Sequence, residues 1–300
     1  MRTAEPRPAL SFVVPVFNEE GNVAPLCAEL TAVARATGRT YELVFVNDGS
    51  RDATLERLVE LAATDPNLRV VELDGNFGEA SALSAGLHQA RGDVVVTLDG
   101  DGQNDPADIP RLLERLRGES LKAVSGRRTN RQEGYWLRVL PSRIANGLIV
   151  WVTRVPVYDC GCGLKAYRRS AIPPIHLPRG LHRFMPAIFG VRAGEVAEVE
   201  TRDRRRQHGS SHYGLARTVV VLRDLLALRF IIDNPRGAEI QFAVATAASA
   251  AIAAAVMHRS VVAMALFDGL AVVLGAIWWN TRRFNRAQEA GVYRLRDDAT

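Results

Sequence analysis

The chain has 300 residues, and its 38 Lys and Arg against 33 Asp and Glu give a formal net charge of +5. Hydrophobic residues make up 47% of the sequence, which together with the small net charge excludes an intrinsically disordered chain. Three cysteines are too few for a disulfide scaffold and fit a reducing compartment. The length suits one large domain with an appendage, or two small domains.

Short apolar runs alternate with amphipathic segments of helix length from residue 10 onward. The runs predict strands over 10–14, 41–47, 69–73 and 93–99, and the segments predict helices over 24–37, 52–64, 79–91 and 106–117. We expect Asp52 and Asp105 to be helix N-caps. Continuous apolar strands separated by helices indicate a parallel sheet covered on both faces. In such a sheet, ligands bind beyond the carboxyl ends of the strands.

Polar residues follow each of the four apolar runs, and Asp99 and Asp101 after the fourth are the most informative. Two carboxylates separated by one glycine repel each other in an exposed turn, so they need a cation, and hard oxygen ligands suit Mg²⁺ or Mn²⁺. The sequence holds no zinc-type Cys/His cluster, no P-loop and no dinucleotide-binding glycine motif after the first strand. ATPase and dinucleotide-dependent functions therefore lack support.

Two apolar stretches close the sequence. Residues 240–257 carry no Asp, Glu, Lys or Arg, and residues 260–281 carry only Asp268 before Arg282. Each approaches the roughly 20 residues needed to cross a bilayer, although insertion is marginal for either span alone. The alternative is a pair of buried helices in a soluble core.

Three features favour a membrane hairpin over that alternative. The spans are equal in length with a very short connector, Trp278 and Trp279 close the second span, and the flanks are basic at Arg223, Arg229, Arg236, Arg282, Arg283 and Arg286. The positive-inside rule then places both ends in the cytoplasm. Asp268 is expected to face a partner helix or another subunit rather than lipid. The polar start, Met1 to Pro8, shows no secretory signal, so we expect a cytoplasmic large domain.

The segment between the large domain and the hairpin is rich in arginine. A solvated loop followed by a core helix would explain it, but an amphipathic helix on an anionic membrane surface fits its position better. Residues 139–152 are a candidate for a second interfacial helix. The predicted organisation is a large domain over 1–213, an amphipathic helix over 214–237, a hairpin over 238–281 with spans at about 240–257 and 260–279, and a tail over 282–300.

The strand-end segments Val14–Glu20, Val46–Asp52 and Thr97–Asn104 resemble family 2 glycosyltransferases, which have the α/β GT-A fold. The chain is most similar to the polyprenyl-phosphate transferases, including the dolichyl-phosphate mannosyltransferase type and the bacterial undecaprenyl-phosphate aminoarabinose type. That narrower likeness rests on Val124–Gln132, Asp159–Arg169, His182–Pro186, and the hairpin followed by Tyr293–Arg296. It extends from about Leu10 to Arg296.

The resemblance implies roles for individual residues. It assigns the nucleotide to Pro15, Phe17, Glu19, Asp48 and Asp99; the metal to Asp99, Asp101 and Gln103; the acceptor or diphosphate to Arg128, Arg143, Arg206 and His212; and catalysis to Asp101, Asp159 and Arg128, with Asp159 at the sugar end. Two departures from the family pattern stand out. His212 replaces a usual Lys, which weakens a phosphate grip unless the imidazole is protonated. Gly100 and Gly102 replace larger residues around the acidic pair.

The resulting prediction is a metal-dependent, inverting transferase of cell envelope biosynthesis. It moves a sugar from a nucleotide-sugar donor, UDP favoured, to undecaprenyl phosphate at the inner face of a bacterial plasma membrane, and contacts membrane lipids. A phosphate acceptor has a second pKa of about 6 and needs no general base, so Asp159 is expected to orient the sugar or acceptor. A homo-oligomer through the transmembrane helices is compatible with this prediction.

Three alternatives stay open from the sequence. The chain is a family 2 transferase acting on a glycan or another lipid, although the Gln-x-x-Arg-Trp motif of processive synthases is missing. It is a degenerate membrane-anchored protein that binds sugar nucleotides, against which Asp99, Asp101 and Glu19 argue. A nucleic-acid binder is the third, suggested only by the basic charge and unsupported by any recognisable module.

Overall fold

The structure is a computed structural model that describes residues 7–118, 120–129, 140–204, 216–257 and 259–296, with side chains omitted at 140–146 and 216–222. The chain divides into two compact units. The first comprises residues 1–211 together with residues 292–300, and the second comprises residues 212–291.

The first unit alternates strands and helices as predicted. Its strands are β1 Leu10–Val16, β2 Tyr41–Asn47, β3 Leu68–Glu72, β4 Val94–Thr97, β5 Ala123–Arg128, β6 Lys165–Arg168 and β7 Val196–Thr201. Its helices are α1 Val23–Ala36, α2 Thr54–Thr64, α3 Glu79–Gln89, α4 Ile109–Leu116, α5 Leu140–Thr153 and α6 Met185–Ile188.

The strands form one mixed sheet in the order β3-β2-β1-β4-β6-β5-β7. The first four strands are parallel as predicted, but β6 runs antiparallel to both β4 and β5. The parallel arrangement predicted for the first four strands is therefore confirmed, and the antiparallel strand β6 lies outside that prediction. The connection from β5 to β6 includes α5 and ends in the turn Asp159–Leu164, after which β6 pairs antiparallel to β5. Strands β5 to β7 carry charged residues, so they lack the continuous apolar runs that mark β1 to β4.

The core covers both faces of the sheet. Residues Leu10, Phe12, Val14 and Val16 of β1 lie in one apolar cluster with side chains of α1, α2 and α4. The opposite face of β1 packs on α3, where Gly86 lies against Val13 and Val46. This alternation is what a strand buried on both faces requires.

The two predicted helix caps differ in outcome. The Asp105 side chain accepts a hydrogen bond from the Ala107 N–H at 2.9 Å and caps the 3₁₀ turn that leads into α4, as predicted. Asp52 does not cap α2, because this helix has Ala53 at the N-cap position and begins at Thr54. Its carboxylate instead bonds the N–H and the hydroxyl of Thr54.

The described residues of the second unit form three helices, α7 Ala216–Asp233, α8 Pro235–Val256 and α9 Val261–Ala290. Helices α8 and α9 are long and apolar enough to cross a membrane, with mean hydropathies of 1.6 and 2.2. They pack as a hairpin, and the Ser249 hydroxyl donates to the Phe267 carbonyl across the pair at 2.9 Å. Asp268 is exposed on α9, and its expected partner, another helix or another subunit, remains a prediction.

Helix α9 continues well beyond the predicted end of the second span near residue 279, as far as Ala290. The chain then rejoins the first unit, where Leu295 bridges Leu73 in antiparallel fashion. The predicted tail is therefore helical over its first part and sheet-bound over its last described residues.

Replacing Gly86 by Val should destabilise the first unit. A Cβ at this position comes within 3.0 Å of the Val46 side chain and closer still to Val13, so the helix must move off the sheet. Overpacking of this kind costs about 3 kcal/mol, which thermal unfolding of the full chain in detergent would detect. Gly194→Val is the matched control, because no atom lies within 4 Å of a Cβ there. Equal melting temperatures for the two variants would contradict the packing described.

Candidate active site

Three adjacent parallel strands end at one edge of the sheet. Val16 of β1 pairs with Asn47 of β2, so the two strand ends are level. Gly100, beyond β4, lies against β1, where a Cβ would come within 2.6 Å of the Pro15 carbonyl oxygen. A side chain at this position would therefore not fit here. The segments brought to this edge are Phe17–Glu20, Asp48–Ser50 and Asp99–Asp105.

The segment after β1 is tied to the one after β2. The Asn18 N–H donates to the Ser50 hydroxyl at 3.0 Å, and the Glu19 N–H donates to the Thr54 hydroxyl at 2.8 Å. Asn18 adopts a left-handed backbone with φ +55°, which asparagine tolerates better than most residues. Phe17, 39% exposed, presents its ring at this edge.

The carboxylate of Asp48 holds the loop that follows β3. It accepts hydrogen bonds from the N–H groups of Phe77 at 2.7 Å and Gly78 at 2.8 Å, while the Asn76 amide donates to the Asp48 carbonyl at 3.2 Å. Burial raises the pKa of Asp48 above its usual value, although the two N–H bonds oppose that rise. Asp48 therefore fixes the loop Asp74–Gly78 beside the end of β2.

Gly49 allows the two loops to approach. Its φ of +66° lies in the left-handed region, and a Cβ there would come within 2.5 Å of the Gly75 carbonyl carbon. Any side chain at Gly49 would separate the loop after β2 from the loop after β3.

Internal hydrogen bonds shape the acidic turn after β4. The Asp99 N–H donates to the Asn104 side-chain oxygen at 3.0 Å, and the Gln103 N–H donates to Asp101 Oδ1 at 3.0 Å. Gly102 between them has φ +72°. The turn therefore keeps both carboxylates at the sheet edge, with Asp101 largely buried.

Negative charge is concentrated around Asp99. Burial, with the nearby carboxylates of Glu79 and Asp101, raises the pKa of Asp99 to about 7. The charges of Lys165 and Arg128 oppose this rise without cancelling it. The turn is thus a site where an added positive charge would be strongly favoured.

The residues of this turn fit a divalent cation. Asp99 and Asp101 offer carboxylate oxygens, and the amide of Gln103 offers a further hard donor two residues on. No group of three or more His, Cys, Asp or Glu residues suited to a metal occurs in the described ranges. A bound ion would therefore take its other ligands from water and from the phosphates of a substrate, as Mg²⁺ commonly does.

A bidentate ion pair joins the end of β5 to the turn before β6. Arg128 Nε lies 2.9 Å from Asp159 Oδ2 and Arg128 Nη2 lies 3.0 Å from Asp159 Oδ1. The Arg128 N–H also donates to Oδ2 at 3.1 Å. Burial alone would lower the pKa of Arg128, but the hydrogen bonds and charge of Asp159 raise it overall. Both oxygens of Asp159 are thus engaged by one arginine.

The backbone around Asp159 has its own support. Glu198 Oε1 accepts the N–H groups of Tyr158 at 2.8 Å and of Asp159 at 3.1 Å. Burial raises the pKa of Glu198. Strand β7 therefore braces the turn that presents Asp159 to Arg128.

Lys165 organises the rest of this turn from the first residue of β6. Its buried ammonium donates to the carbonyls of Cys160, at 3.4 Å, and of Cys162. Burial raises the pKa of the Cys160 thiol to about 12 and that of the Cys162 thiol to about 11. Gly163 leaves no room for a Cβ beside the Asp99 carboxylate, so the turn closes directly onto the acidic site.

The chain that leaves β7 passes beside the acidic turn. The Arg204 N–H donates to the Gln103 carbonyl at 2.9 Å, and its guanidinium contacts Glu29 at 2.7 Å and Asp105 at 2.6 Å. Arg204 is the last described residue before 205–215, which contain the predicted Arg206 and His212.

The structure gathers most of the predicted site residues at this edge. Those it describes are Pro15, Phe17, Glu19, Asp48, Asp99, Asp101, Gln103, Arg128 and Asp159. Arg143, Arg206 and His212 lie outside the residues whose side chains are described. Their roles remain predictions.

Sequence reasoning missed Glu79 as a neighbour of this site. Glu79 begins α3, directly after Gly78, and its charge contributes to the raised pKa of Asp99. His182 Nε2 lies 3.2 Å from Glu79 Oε1. Following the polar residues after β3 as far as the helix start would have found Glu79.

Removing the Asp159 carboxylate should destabilise the protein. Asp159→Ala leaves the Arg128 guanidinium buried without its counter-charge, so we expect the free energy of unfolding to fall by about 3–5 kcal/mol in denaturation of the full chain. The control is Glu200→Ala, which breaks a pair between Arg127 and Glu200 whose side chains are 47% and 59% exposed. Exposed pairs contribute at most about 1 kcal/mol. Similar losses from both variants would refute the buried pair as a stabilising contact.

Known proteins resemble the chain in both sequence and fold. The model of glycosyl transferase family 2 matches residues 11–174. Dodecaprenyl-phosphate galacturonate synthase of Rhizobium johnstonii is 42% identical over 226 residues, covering 74% of this chain and 67% of the relative. Undecaprenyl-phosphate 4-deoxy-4-formamido-L-arabinose transferase of Pseudomonas paraeruginosa is 38% identical over 219 residues, covering 72% and 64%. The matched region thus spans about two thirds of each relative's length.

Solved structures share the fold at low sequence identity. Glucosyl-3-phosphoglycerate synthase of Mycobacterium tuberculosis with UDP aligns with a TM-score of 0.58 and 20% identity, covering 76% of this chain and 82% of that one. The same enzyme with Mn²⁺, UDP-glucose and phosphoglyceric acid gives 0.56 and 19%, covering 74% and 79%. These likenesses confirm the predicted GT-A fold. With the family match, the two named relatives and the acidic turn after β4, the chain belongs to glycosyltransferase family 2.

Proposed function

We propose that this chain moves a sugar from a nucleotide-sugar donor to a polyprenyl phosphate, undecaprenyl phosphate in a bacterial inner membrane. The single observation that carries the proposal is the meeting of the acidic turn, the Asp48-bound loop and Arg128 at one sheet edge. The relatives named for transfer to dodecaprenyl and undecaprenyl phosphate support the acceptor class.

The donor base and ribose would lie between the ends of β1 and β2. Phe17 offers an exposed ring there, and Pro15 and Glu19 flank it. Asp48 contributes mainly by fixing the loop Asp74–Gly78, because its carboxylate oxygens accept the N–H groups of that loop. We favour UDP over GDP because the resemblance is closer to bacterial members of the family.

The donor diphosphate would lie at the acidic turn. A Mg²⁺ or Mn²⁺ ion held by Asp99, Asp101 and Gln103 would act as a Lewis acid on the departing diphosphate. Arg128 supplies a second, fixed positive charge near the same point, as its influence on Asp99 indicates. Fixed charges aimed at developing negative charge need no reorganisation during the reaction.

The reaction itself needs little proton transfer. An oxygen of the lipid phosphate attacks the anomeric carbon, the bond from that carbon to the diphosphate breaks, and the electron pair leaves with the nucleoside diphosphate, inverting the centre. The phosphate is mostly deprotonated at pH 7, since its second pKa is about 6. Asp159 therefore need not act as a base; its carboxylate holds Arg128 in place, and the role expected from the sequence, orienting the sugar or acceptor, stays a prediction.

The division of the chain supports a hairpin in the membrane. Residues 1–211 and residues 292–300 belong to one compact unit, so the chain leaves that unit once and returns to it. If α8 and α9 span the bilayer, both of their outer ends must lie on the same side. The arginines that flank the hairpin favour the cytoplasm for that side.

Transfer should require Asp101. Membranes containing the full chain, incubated with undecaprenyl phosphate, Mg²⁺ or Mn²⁺ and a panel of radiolabelled UDP- and GDP-sugars, should yield a labelled lipid. Asp101→Ala should slow this transfer at least about 100-fold, because charge stabilisation at the diphosphate is lost. The control Glu60→Gln, an exposed carboxylate on α2, should retain the wild-type rate.

Two results would overturn the assignment: no transfer from any donor, or equal transfer by Asp101→Ala. Transfer only to an added glycan would establish the alternative acceptor. Donor binding without transfer to any acceptor would indicate a degenerate protein.

Reporter fusions should locate both ends of the hairpin in the cytoplasm. We expect green fluorescent protein fused after Thr300 to fluoresce, and alkaline phosphatase fused after Arg259 to be active because it lies outside. Phosphatase fused after Gly291 is the matched control and should be inactive. Phosphatase that is inactive after Arg259 would contradict two membrane spans.

A further inference from the structure

We propose that the C-terminal segment Val292–Arg296 is a positioning strand for the donor site. It holds the loop Asp74–Gly78 in shape and thereby sets the affinity for the nucleotide-sugar donor. This inference rests on the proposed function, because it takes that loop as part of the nucleotide site.

The segment extends the sheet at its edge strand. Leu295 lies opposite Leu73, the Asp74 N–H donates to the Arg294 carbonyl at 2.9 Å, and the Arg296 N–H donates to the Glu72 carbonyl at 3.0 Å. Strand β3 is the terminal strand of the sheet, and among the residues that the structure describes this segment is its neighbour on the outer side. The segment Val292–Arg296 thus provides hydrogen-bond partners for the Glu72 carbonyl and the Asp74 N–H, where β3 passes into the loop Asp74–Gly78.

Two ion pairs strengthen the same contact. Arg296 pairs with Glu72, and Arg294 Nε lies 3.6 Å from Asp74 Oδ2. All four side chains are at least partly exposed, so each pair contributes little alone. Their effect is to set the register of the segment on β3, with each arginine beside its own carboxylate.

An aromatic cluster joins the segment to helix α3. The Tyr293 hydroxyl lies 2.9 Å from His88 Nδ1, and His88 meets His176 edge to face with ring centroids 4.9 Å apart. The Tyr293 and His176 rings are 5.7 Å apart. Tyr293 therefore contacts His88 of α3 and His176, the residue just before Leu177.

These contacts lie on both sides of the loop Asp74–Gly78. The loop begins where β3 ends and finishes where α3 begins at Glu79. The segment is hydrogen-bonded to the end of β3 through its backbone, and it contacts α3 through the Tyr293 hydroxyl and His88. A third connection runs beyond His176, where Arg179 Nε donates to the Phe77 carbonyl at 3.1 Å. The tail thus restrains the two elements whose separation determines the shape of the loop.

The loop in turn supplies the partners of Asp48. The N–H groups of Phe77 and Gly78 reach its carboxylate only while the loop keeps this shape. If β3 and α3 relax, these bonds lengthen and the buried Asp48 carboxylate loses its donors, which disfavours the loop conformation that lines the nucleotide.

The segment contributes little to the core itself. Leu73 is 1% exposed, whereas Leu295 is 41% exposed. Removal of the tail should therefore leave the first unit folded. It should act on donor affinity rather than on the chemical step, because the acidic turn and Arg128 are held by other elements.

The test compares two truncations of the full chain in detergent. Truncation after Gly291 removes the positioning strand, whereas truncation after Arg296 removes only the last four residues and is the matched control. Without the strand, we expect the donor KM and the UDP dissociation constant in Mn²⁺ to rise about tenfold, equivalent to about 1.4 kcal/mol, with kcat within about threefold. The control should match the full chain in all three constants.

Hydrogen exchange gives a second measurement that does not depend on activity. Truncation after Gly291 and the point variant Tyr293→Phe should both speed amide exchange at Phe77 and Gly78, with a smaller effect for Tyr293→Phe. The point variant also covers the case in which the truncated chain fails to fold.

The outcomes separate the two proposals. Unchanged UDP affinity and unchanged exchange at Phe77 and Gly78 in Tyr293→Phe and in the folded truncation would overturn the positioning role, as would a fall in kcat at constant KM. A full-length chain that binds neither UDP nor GDP overturns the proposed function instead.

Discussion

The candidate site depends on electrostatic repulsion between the Asp99 carboxylate and its acidic neighbours. Burial of Asp99 itself and the nearby charges of Glu79 and Asp101 all disfavour the ionised form of Asp99 and raise its pKa. The fold tolerates this because it supplies positive charge from another direction, through Lys165 on β6 and Arg128 on β5. The second half of the sheet thus supplies positive charge that offsets part of the negative charge presented by the first half.

The mixed sheet brings these opposite charges together. Strand β6 lies between β4 and β5 and carries Lys165 opposite Thr97, only two residues before Asp99. The turn that precedes β6 presents Asp159, which in turn fixes Arg128. An antiparallel return places both cations near the acidic turn.

The sequence predicts the first half of the unit well and the second half poorly. Strands β1 to β4 are continuous apolar runs followed by polar turns, so local patterns locate them and the residues at their ends. Arg128 and Asp159 are 31 positions apart in the sequence, and no local sequence pattern predicts that they form an ion pair. The contact between Leu295 and Leu73 spans the whole of the second unit. Only the folded chain reveals such distant partners; a resemblance marks their residues without showing that they touch.

The candidate membrane helices illustrate a different limit. Apolar composition predicts where they run, and α8 and α9 agree with it to within a few residues at the connector. Composition does not predict that α9 continues as a helix to Ala290, because its last turns are polar and amphipathic. Asp268 is likewise visible in the sequence, and the structure adds that it is exposed on α9.

The burial of the cysteines has a practical consequence. Cys27, Cys160 and Cys162 are the only thiols in the chain, and all three are buried. Burial raises all three pKa values, so the reactive thiolate is scarce at neutral pH. A maleimide should therefore not react with the three native thiols, whereas it should label a single cysteine introduced at the surface. Spectroscopic probes can thus be attached without first removing the native thiols that surround Lys165.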